Sequence, residues 1–218
     1  MRIQKKSNQN NTENIFWITM TDLMTGLVLV FIVMFLFTFM QNNMPKMQEN
    51  LAKENSAKTL KEALKEQNID AGIDSNGVVK ISNLELFEVS SYKLSDKGKS
   101  YLDKFTPAYL DALFKNEYLS KNLEKIIIQG HTDSQMFAGK YSEDEQYMKN
   151  MELSLNRAYE VANYMSQTKY NKDLGNKLRK MVIVEGASYS TPIIVNGKED
   201  YNKSRRVELK LVIKKDLK

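Results

Sequence analysis

The sequence predicts an α+β protein: a single N-terminal transmembrane helix, a linker helix, then a two-layer α/β sandwich whose mixed sheet carries helices on one face. Three observations predict it. The apolar residues of the 218-residue chain are concentrated in one block near its start. A polar segment rich in helix formers follows, and from residue 75 onward strand-like runs alternate with amphipathic helical ones.

The apolar block runs from Ile15 to Met40. As a helix at ~1.5 Å per residue it is about 39 Å long, against a bilayer core of ~30 Å that needs about 20 residues. A secretory signal has a shorter core of ~7–15 residues followed by a small-residue cleavage site. The following "QNNMPKM" has no such site, so an uncleaved anchor is expected. Trp17 suits an interface, and Arg2, Lys5 and Lys6 precede the span, which places the N-terminus on the cytoplasmic side. The organisation expected is a cytoplasmic tail over 1–14, the span over 15–40, a linker or plug-like helix over 41–74 and a folded domain over 75–218.

In the linker, Met47 and Leu51, then Leu60 and Leu64, stand at i,i+4 spacing, but the stripe breaks between Ala52 and Ala57. That pattern reads as a stalk, not a sustained coiled coil. Beyond it, "DSNG" (Asp74–Gly77) is a turn and "VVKIS" a strand. Ser95 is the expected N-cap of a helix through about Phe114, with Tyr101, Leu102, Phe105 and Tyr109 on one face. "EKIIIQG" (Glu124–Gly130) is a short buried strand. "LSLNRAYEVANYM" is a second amphipathic helix with the stripe Ala158, Val161, Ala162 and Met165. "MVIVEG" and "RRVELKLVI" supply further strands, and Phe137–Asn150 reads as an excursion between a strand and its helix.

Composition excludes several functions. With no cysteine there are no disulfides, thiolate metal sites or Cys nucleophiles. The net charge of +5 is spread over interspersed Lys and Glu without a basic stripe, so no direct nucleic-acid contact is expected. No "GxxxxGK" phosphate loop occurs. His131, the only histidine, lacks the clustered ligands of a metal site. It also sits too near Asp133 and Ser134 in sequence to form a hydrolase triad with them. A turn hydrogen-bonder is expected there. No enzyme, metal or cofactor is indicated.

Four blocks occur in order: "IQGHTDS" (Ile128–Ser134), "LSLNRAYEVANYM" (Leu153–Met165), "VEGAS" (Val184–Ser188) and "NKSRRVEL" (Asn202–Leu209). Over residues 75–213 the chain resembles the OmpA-like peptidoglycan-binding domain. The resemblance implies a site for the diacid-diamine residue of the peptidoglycan stem peptide, with Asp133 as its acidic residue and Arg157 as its arginine. The chemistry fits a zwitterion: one carboxylate for the ammonium, one fork-shaped cation for the carboxylate. On residues alone, Asp133 capping a turn and Arg157 pairing with a nearby Glu explain the pattern equally well. Thr132, Asn150 and Arg206 are further candidates for shaping the pocket. The segment between "HTD" and "LSLNRA" is longer than is common in that family, so it is expected to cover or reshape the site.

The span itself carries an acid, Asp22, about 10 Å deep by helix rise. About 15 Leu, Ile, Phe and Val residues favour insertion by roughly 5–9 kcal/mol, and one Asp costs about 2.5–3.5 kcal/mol on the same scale. Insertion wins. Thr19, Asp22, Thr25 and Gly26 share one helical face, and Thr21 adds a neighbouring hydroxyl. Two roles fit Asp22: a protonated carboxyl gluing helices together, or a carboxyl that gains and loses a proton.

A short tail, one span with "W-x-x-x-x-D-L-M-T", a linker helix and an OmpA-like domain together resemble the MotB family of ion-driven motor subunits. Within it, "TDLMTGLVLVFIVMF" is most similar to the ZorB family, the membrane subunits of Zorya anti-phage defence systems. The resemblance implies a homodimer whose paired spans sit inside a pentameric ring of a MotA-like partner, ZorA. It implies Asp22 as the ion-carrying carboxylate and the wall-binding domain as the anchor. H⁺ is favoured over Na⁺ as the ion, although Thr21 and Thr25 offer oxygens to Na⁺. A flagellar stator subunit shares this pattern, and a passive peptidoglycan-anchored scaffold with a structural Asp22 is the reading from another class.

Overall fold

A computed structural model describes residues 5–66, 68–69, 71–88, 91–168 and 172–214. Residues 1–4 of the expected tail, including Arg2, lie outside the described residues. The elements in chain order are α1 (Lys5–Glu66), β1 (Gly72–Ile73), β2 (Val79–Ser82), α2 (Asn83–Leu86), α3 (Asp96–Lys115), α4 (Glu117–Asn122), β3 (Leu123–His131), α5 (Glu143–Gln167), α6 (Lys172–Met181), β4 (Val182–Gly186), β5 (Ile194–Val195), β6 (Lys198–Glu199), α7 (Tyr201–Ser204) and β7 (Arg206–Ile213). The chain divides into two compact units, residues 1–48 and 49–218.

In the first unit α1 presents apolar side chains all round: Leu23, Leu27, Phe31 and Val33 are each about two-thirds exposed. An all-round apolar surface of this length is what a lipid environment stabilises. Among the described residues this is the one helix long and apolar enough to cross a membrane.

In the second unit the sheet has strand order β1-β2-β7-β3-β4, antiparallel except for the parallel β3–β4 pair. Alternation sorts its faces. Val79, Leu209 and Ile128 are register neighbours, as are Ile81 and Val207, and all are fully buried. They meet Leu102, Phe105 and Tyr109 of α3 and Ala158, Val161 and Met165 of α5 in one core. Tyr101, Phe105 and Tyr109 stack in series, with ring centroids 5.8 and 5.3 Å apart. Ser95 caps α3 by accepting the Gly98 N–H at 3.0 Å, as the sequence predicts. The opposite face carries a polar row, Lys80–Glu208–Gln129–Glu185, across four strands.

Two boundaries differ from the sequence reading. The folded unit opens at Glu49, not at residue 75. Ala52, Ser56, Leu60 and Leu64 form an i,i+4 stripe that is buried in the core. Asn116 Nδ2 donates to the Ala52 carbonyl at 3.2 Å, and Ser56 Oγ donates to the Ala112 carbonyl at 3.4 Å. The stripe looks broken in sequence because two of its members are small, and smallness is what lets the backbones approach. The excursion over Phe137–Asn150 is also only half loop, since α5 starts at Glu143. Ser142 and Glu145 close a capping box there, Ser142 Oγ accepting the Glu145 N–H and Glu145 accepting the Ser142 N–H.

Candidate functional site: a charged pocket and a membrane carboxylate

β3 delivers Thr132 and Asp133 to the wall of a cavity of about 440 Å³, which is also lined by α2, α5, residues 135–138 and Arg205. Two glycines set the geometry. A Cβ on Gly130 would lie 2.0 Å from the Ser154 carbonyl oxygen, and one on Gly186 would lie 2.9 Å from the Met151 oxygen. Gly130 and Gly186 are register partners on β3 and β4. Their bare backbones let α5 seat directly on the strand ends, which brings Asn150, Leu153 and Arg157 to the same cavity as Asp133. Ser154 locks the seat: its Oγ donates to the Met151 carbonyl at 2.8 Å and accepts the Ser188 N–H at 3.0 Å. The "LSLNR" and "VEGAS" blocks therefore meet through one hydroxyl.

Asp133 and Arg157 both line the cavity. They are not hydrogen-bonded to each other. Asp133 Oδ2 accepts Arg205 Nη1 at 2.6 Å, and its Oδ1 accepts the Gln135 N–H at 3.3 Å. Arg157 Nε donates to the Ser91 carbonyl at 3.0 Å, and the guanidinium lies over the Phe87 ring, 5.5 Å from its centroid. Burial lowers the Arg157 pKa to about 10, with Arg205 pushing the same way and Asp133 opposing. It remains cationic at neutral pH. With Glu88 also on the wall, the pocket holds two acids and two arginines, the balance a zwitterionic ligand requires.

Thr132 and Asn150 line this cavity as expected, both buried. Arg206 does not, and this corrects the sequence reading. Val207 and Leu209 point into the core, so strand alternation turns Arg206 to the other face. There its Nε donates to Glu208 Oε1 at 2.6 Å and its Nη1 to the Ser204 carbonyl at 3.0 Å. The pocket arginine is its neighbour Arg205, which precedes β7. Sequence reasoning also missed Asn83 and Gln146. Buried Gln146 clamps the loop at the pocket's lip: its Oε1 accepts the Phe137 N–H at 2.8 Å, and its Nε2 donates to the Phe137 carbonyl at 3.2 Å. The long segment thus reshapes the cavity, with residues 136–138 forming one wall.

His131 ends β3 on the face away from α5, buried, with Nδ1 3.0 Å from Thr191 Oγ1. Its Nε2 lies 3.6 Å from Glu208 Oε2, too far for a hydrogen bond. Burial lowers the His131 pKa, and the cations Arg206 and Lys210 lower it further, against the raising influence of Glu208. His131 is therefore neutral at pH 7. Burial alone would raise the Glu208 carboxyl, but the hydrogen bonds and positive charge around it hold it well below the carboxylate range. Arg206 Nε at 2.6 Å and Lys210 Nζ at 3.1 Å both lie against this carboxylate.

The sign for stability follows from the lowered histidine. The unfolded chain binds a proton near pH 6.5 while the folded chain resists it, so stability is full above that pH and falls below it. The slope for one proton is at most ~1.4 kcal/mol per pH unit. The thermal midpoint of the detergent-solubilised chain is expected to drop between pH 7 and pH 5. His131→Gln should flatten that drop, and an equal drop in the variant would refute the assignment.

In the other unit, Asp22 is exposed on α1 among threonines that satisfy themselves within the helix. Thr21 Oγ1 donates to the Trp17 carbonyl and Thr25 Oγ1 to the Thr21 carbonyl, each at 2.7 Å. Thr19 Oγ1 reaches the Ile15 and Phe16 carbonyls at 3.0 and 2.9 Å. Spent as donors, these hydroxyls keep lone pairs to accept. Gly26 has open space where a Cβ would stand.

A mixed sheet with helices on one face and a charged pocket at the end of β3 define an OmpA-like domain, here on a chain that also carries an apolar helix. The OmpA family model matches residues 86–206. Over 227 aligned residues the chain is 31% identical to the Zorya protein ZorB of Escherichia coli strain ATCC 8739, covering 99% of this chain and 95% of that one. It is 24% identical to the Zorya protein ZorB of Escherichia coli O139:H28, covering 95% and 84%. A putative MotB-like protein from Desulfovibrio vulgaris shares the fold, with a TM-score of 0.52 at 17% identity over 77% of this chain and 98% of that one. The chain belongs to the ZorB family and carries an OmpA-family domain.

Proposed function

We propose that the chain is the ion-driven membrane motor subunit of a Zorya-type anti-phage defence system, carrying protons through Asp22 and fixing the motor to peptidoglycan through the Asp133–Arg157 pocket. The observation that carries the reading is the pairing, in one ZorB-family chain, of a single-acid apolar span with an OmpA-family pocket of balanced charge. An ion moving down its gradient does mechanical work only when one element is held still, and this chain offers both the ion site and the anchor. In this reading the chain is a homodimer. Its paired spans stand inside a pentameric ring of the MotA-like partner ZorA, with Thr19, Thr21, Thr25 and Gly26 lining the path beside Asp22. The N-terminus is cytoplasmic and the pocket faces the periplasm of the inner membrane. The chain catalyses no reaction and touches no nucleic acid.

In the pocket, Asp133 Oδ1 receives the ligand's ammonium while Arg157, its Nε already occupied, grips the carboxylate through its Nη groups. Asp133→Ala or Arg157→Ala is expected to abolish retention of the detergent-solubilised chain on purified sacculi, with the thermal midpoint monitored to confirm folding. Wild-type retention by both variants would sink the wall-binding half of the reading.

A further inference from the structure

The fold gathers cations that the sequence scatters. Lys121 lies at the end of α4, Lys125 near the start of β3, Lys177, Arg179 and Lys180 on α6, and Lys214 just after β7. Short links bring these segments to one end of the sheet. The Lys214 N–H donates to the Asn122 carbonyl at 2.9 Å, and Lys125 Nζ donates to the Lys180 carbonyl at 3.3 Å. Lys177 Nζ stands over the Phe114 ring, 5.4 Å from its centroid, which ties α6 to the last turn of α3. Lys125 is half-buried and the other five are exposed. Lys121 pairs with Glu117 at 2.7 Å. Lys125, Arg179, Lys180 and Lys214 have no carboxylate partner among the described residues, so this end carries an excess of positive charge.

α1 joins the folded unit at the same end. Asn116, the N-cap of α4, donates to the Ala52 carbonyl at 3.2 Å. The Lys53 carbonyl oxygen and Leu211 Cδ1 both stand 3.6 Å from where a Cβ on Gly77 would lie. The charged pocket is at the other end of β3, about 26 Å away at ~3.3 Å per residue. Nine residues lead from Met40, the last of the apolar block, to Glu49, where the folded unit begins. They cover about 14 Å as helix and at most ~30 Å fully extended. Chain length therefore keeps the basic end near the headgroups of the bilayer that α1 crosses, where a tethered contact acts at high effective concentration.

We propose that this basic end docks on the anionic phospholipid headgroups of the membrane that α1 spans, leaving the charged pocket on the side facing away from the bilayer. Negatively charged headgroups attract clustered Lys and Arg at short range, and the Arg179 guanidinium matches a phosphate with two donors. The contact is electrostatic and superficial. Leu178, the apolar residue between Lys177 and Arg179, is 1% exposed and belongs to the domain's own core, so α6 has no free apolar face to insert. The inference rests on α1 spanning a bilayer and not on wall binding.

The chain has no cysteine, so a single Asn176→Cys at an exposed position of α6 takes one fluorophore. The full-length chain is reconstituted in nanodiscs of phosphatidylcholine with or without phosphatidylglycerol, each carrying a nitroxide quencher on its headgroups. The label should be quenched in the anionic discs only, and released at about 1 M salt, where the Debye length shrinks to ~3 Å. A label on Met136→Cys, 78% exposed at the pocket end, should stay bright. Arg179→Gln/Lys180→Gln/Lys214→Gln should lower the docked-to-free ratio by about tenfold or more, while Lys93→Gln/Lys140→Gln/Lys198→Gln, which removes the same charge from the pocket side, should stay within about twofold of wild type. All six side chains are exposed, so thermal midpoints should hold. Equal quenching in zwitterionic discs, equal losses from the two triple variants, or no quenching in anionic discs would overturn the assignment, the last leaving the basic end to a soluble polyanion. A chain that fails to enter the discs is the separate failure of the membrane-span reading, and it takes this inference with it.

Discussion

Asp22→Asn is expected to reduce anti-phage protection, scored by plaquing efficiency, to that of cells lacking the system, while the chain still inserts and co-purifies with the proposed ring partner. Asparagine has almost the same shape as the protonated carboxyl and keeps the ability to donate and accept hydrogen bonds. What it loses is the exchangeable charge. The substitution therefore separates the two roles open to this residue. If Asp22 only glues helices together, the amide serves nearly as well and protection survives. If the carboxyl alternates between protonated and ionised, as intramembrane acids on ion pathways do, protection vanishes with assembly intact. Insertion does not confound the result, because the flanking apolar residues already outweigh the Asp by roughly 2–6 kcal/mol and an amide is no costlier to bury than an ionised acid. Asp22→Glu keeps the chemistry but moves it along the helix by one methylene, so partial protection is expected. Full protection with Asp22→Asn would remove ion coupling through this residue.

The sequence made some parts of this molecule legible and hid others for identifiable reasons. The apolar block, the Ser95 cap, the buried β3 run and the alternating β7 run all rest on local pattern, and each appears where that pattern puts it. Asp133 and Arg157 share a cavity because the motifs that carry them flank the Gly130 seat. The choice between Arg205 and Arg206 was recoverable from strand parity, since Val207 and Leu209 are the inward residues and fix Arg206 outward. Docking of α1 through Ala52 and Ser56 was harder to see. Small residues carry little hydrophobic signal even when close approach is their role. The "SEDE" capping box is a readable helix start inside the stretch that reads as an excursion. Asn83 was out of reach, because its place on the cavity wall follows from where α2 packs in three dimensions.

The second large effect concerns the seat itself. Gly130→Ala is expected to lower folding stability by about 3 kcal/mol or more and to lose sacculus retention together with it. The added methyl would stand 2.0 Å from the Ser154 carbonyl oxygen, with the Ser154 carbonyl carbon at 2.8 Å and its Cα at 3.2 Å. All three obstacles are backbone atoms, so no rotamer change clears them. The strand cannot retreat: Gly130 is held between Val207 on β7 and Gly186 on β4, and its carbonyl accepts the Ala187 N–H at 2.9 Å. The helix must lift by about 1.4 Å or more to restore ordinary contact, and close-packed interiors resist such shifts. Lifting α5 opens the Ser154–Ser188 link at 3.0 Å. It also carries Arg157 away from Asp133, so binding suffers even in molecules that remain folded. Gly186→Ala is the graded comparison. Its nearest obstacles stand at 2.9 Å and include the movable Ser154 hydroxyl, so a smaller loss is expected. Thermal midpoints of the two variants in detergent, read beside their retention on sacculi, decide the matter: a Gly130→Ala chain as stable as wild type would mean that α5 is not pinned to the strand ends as described.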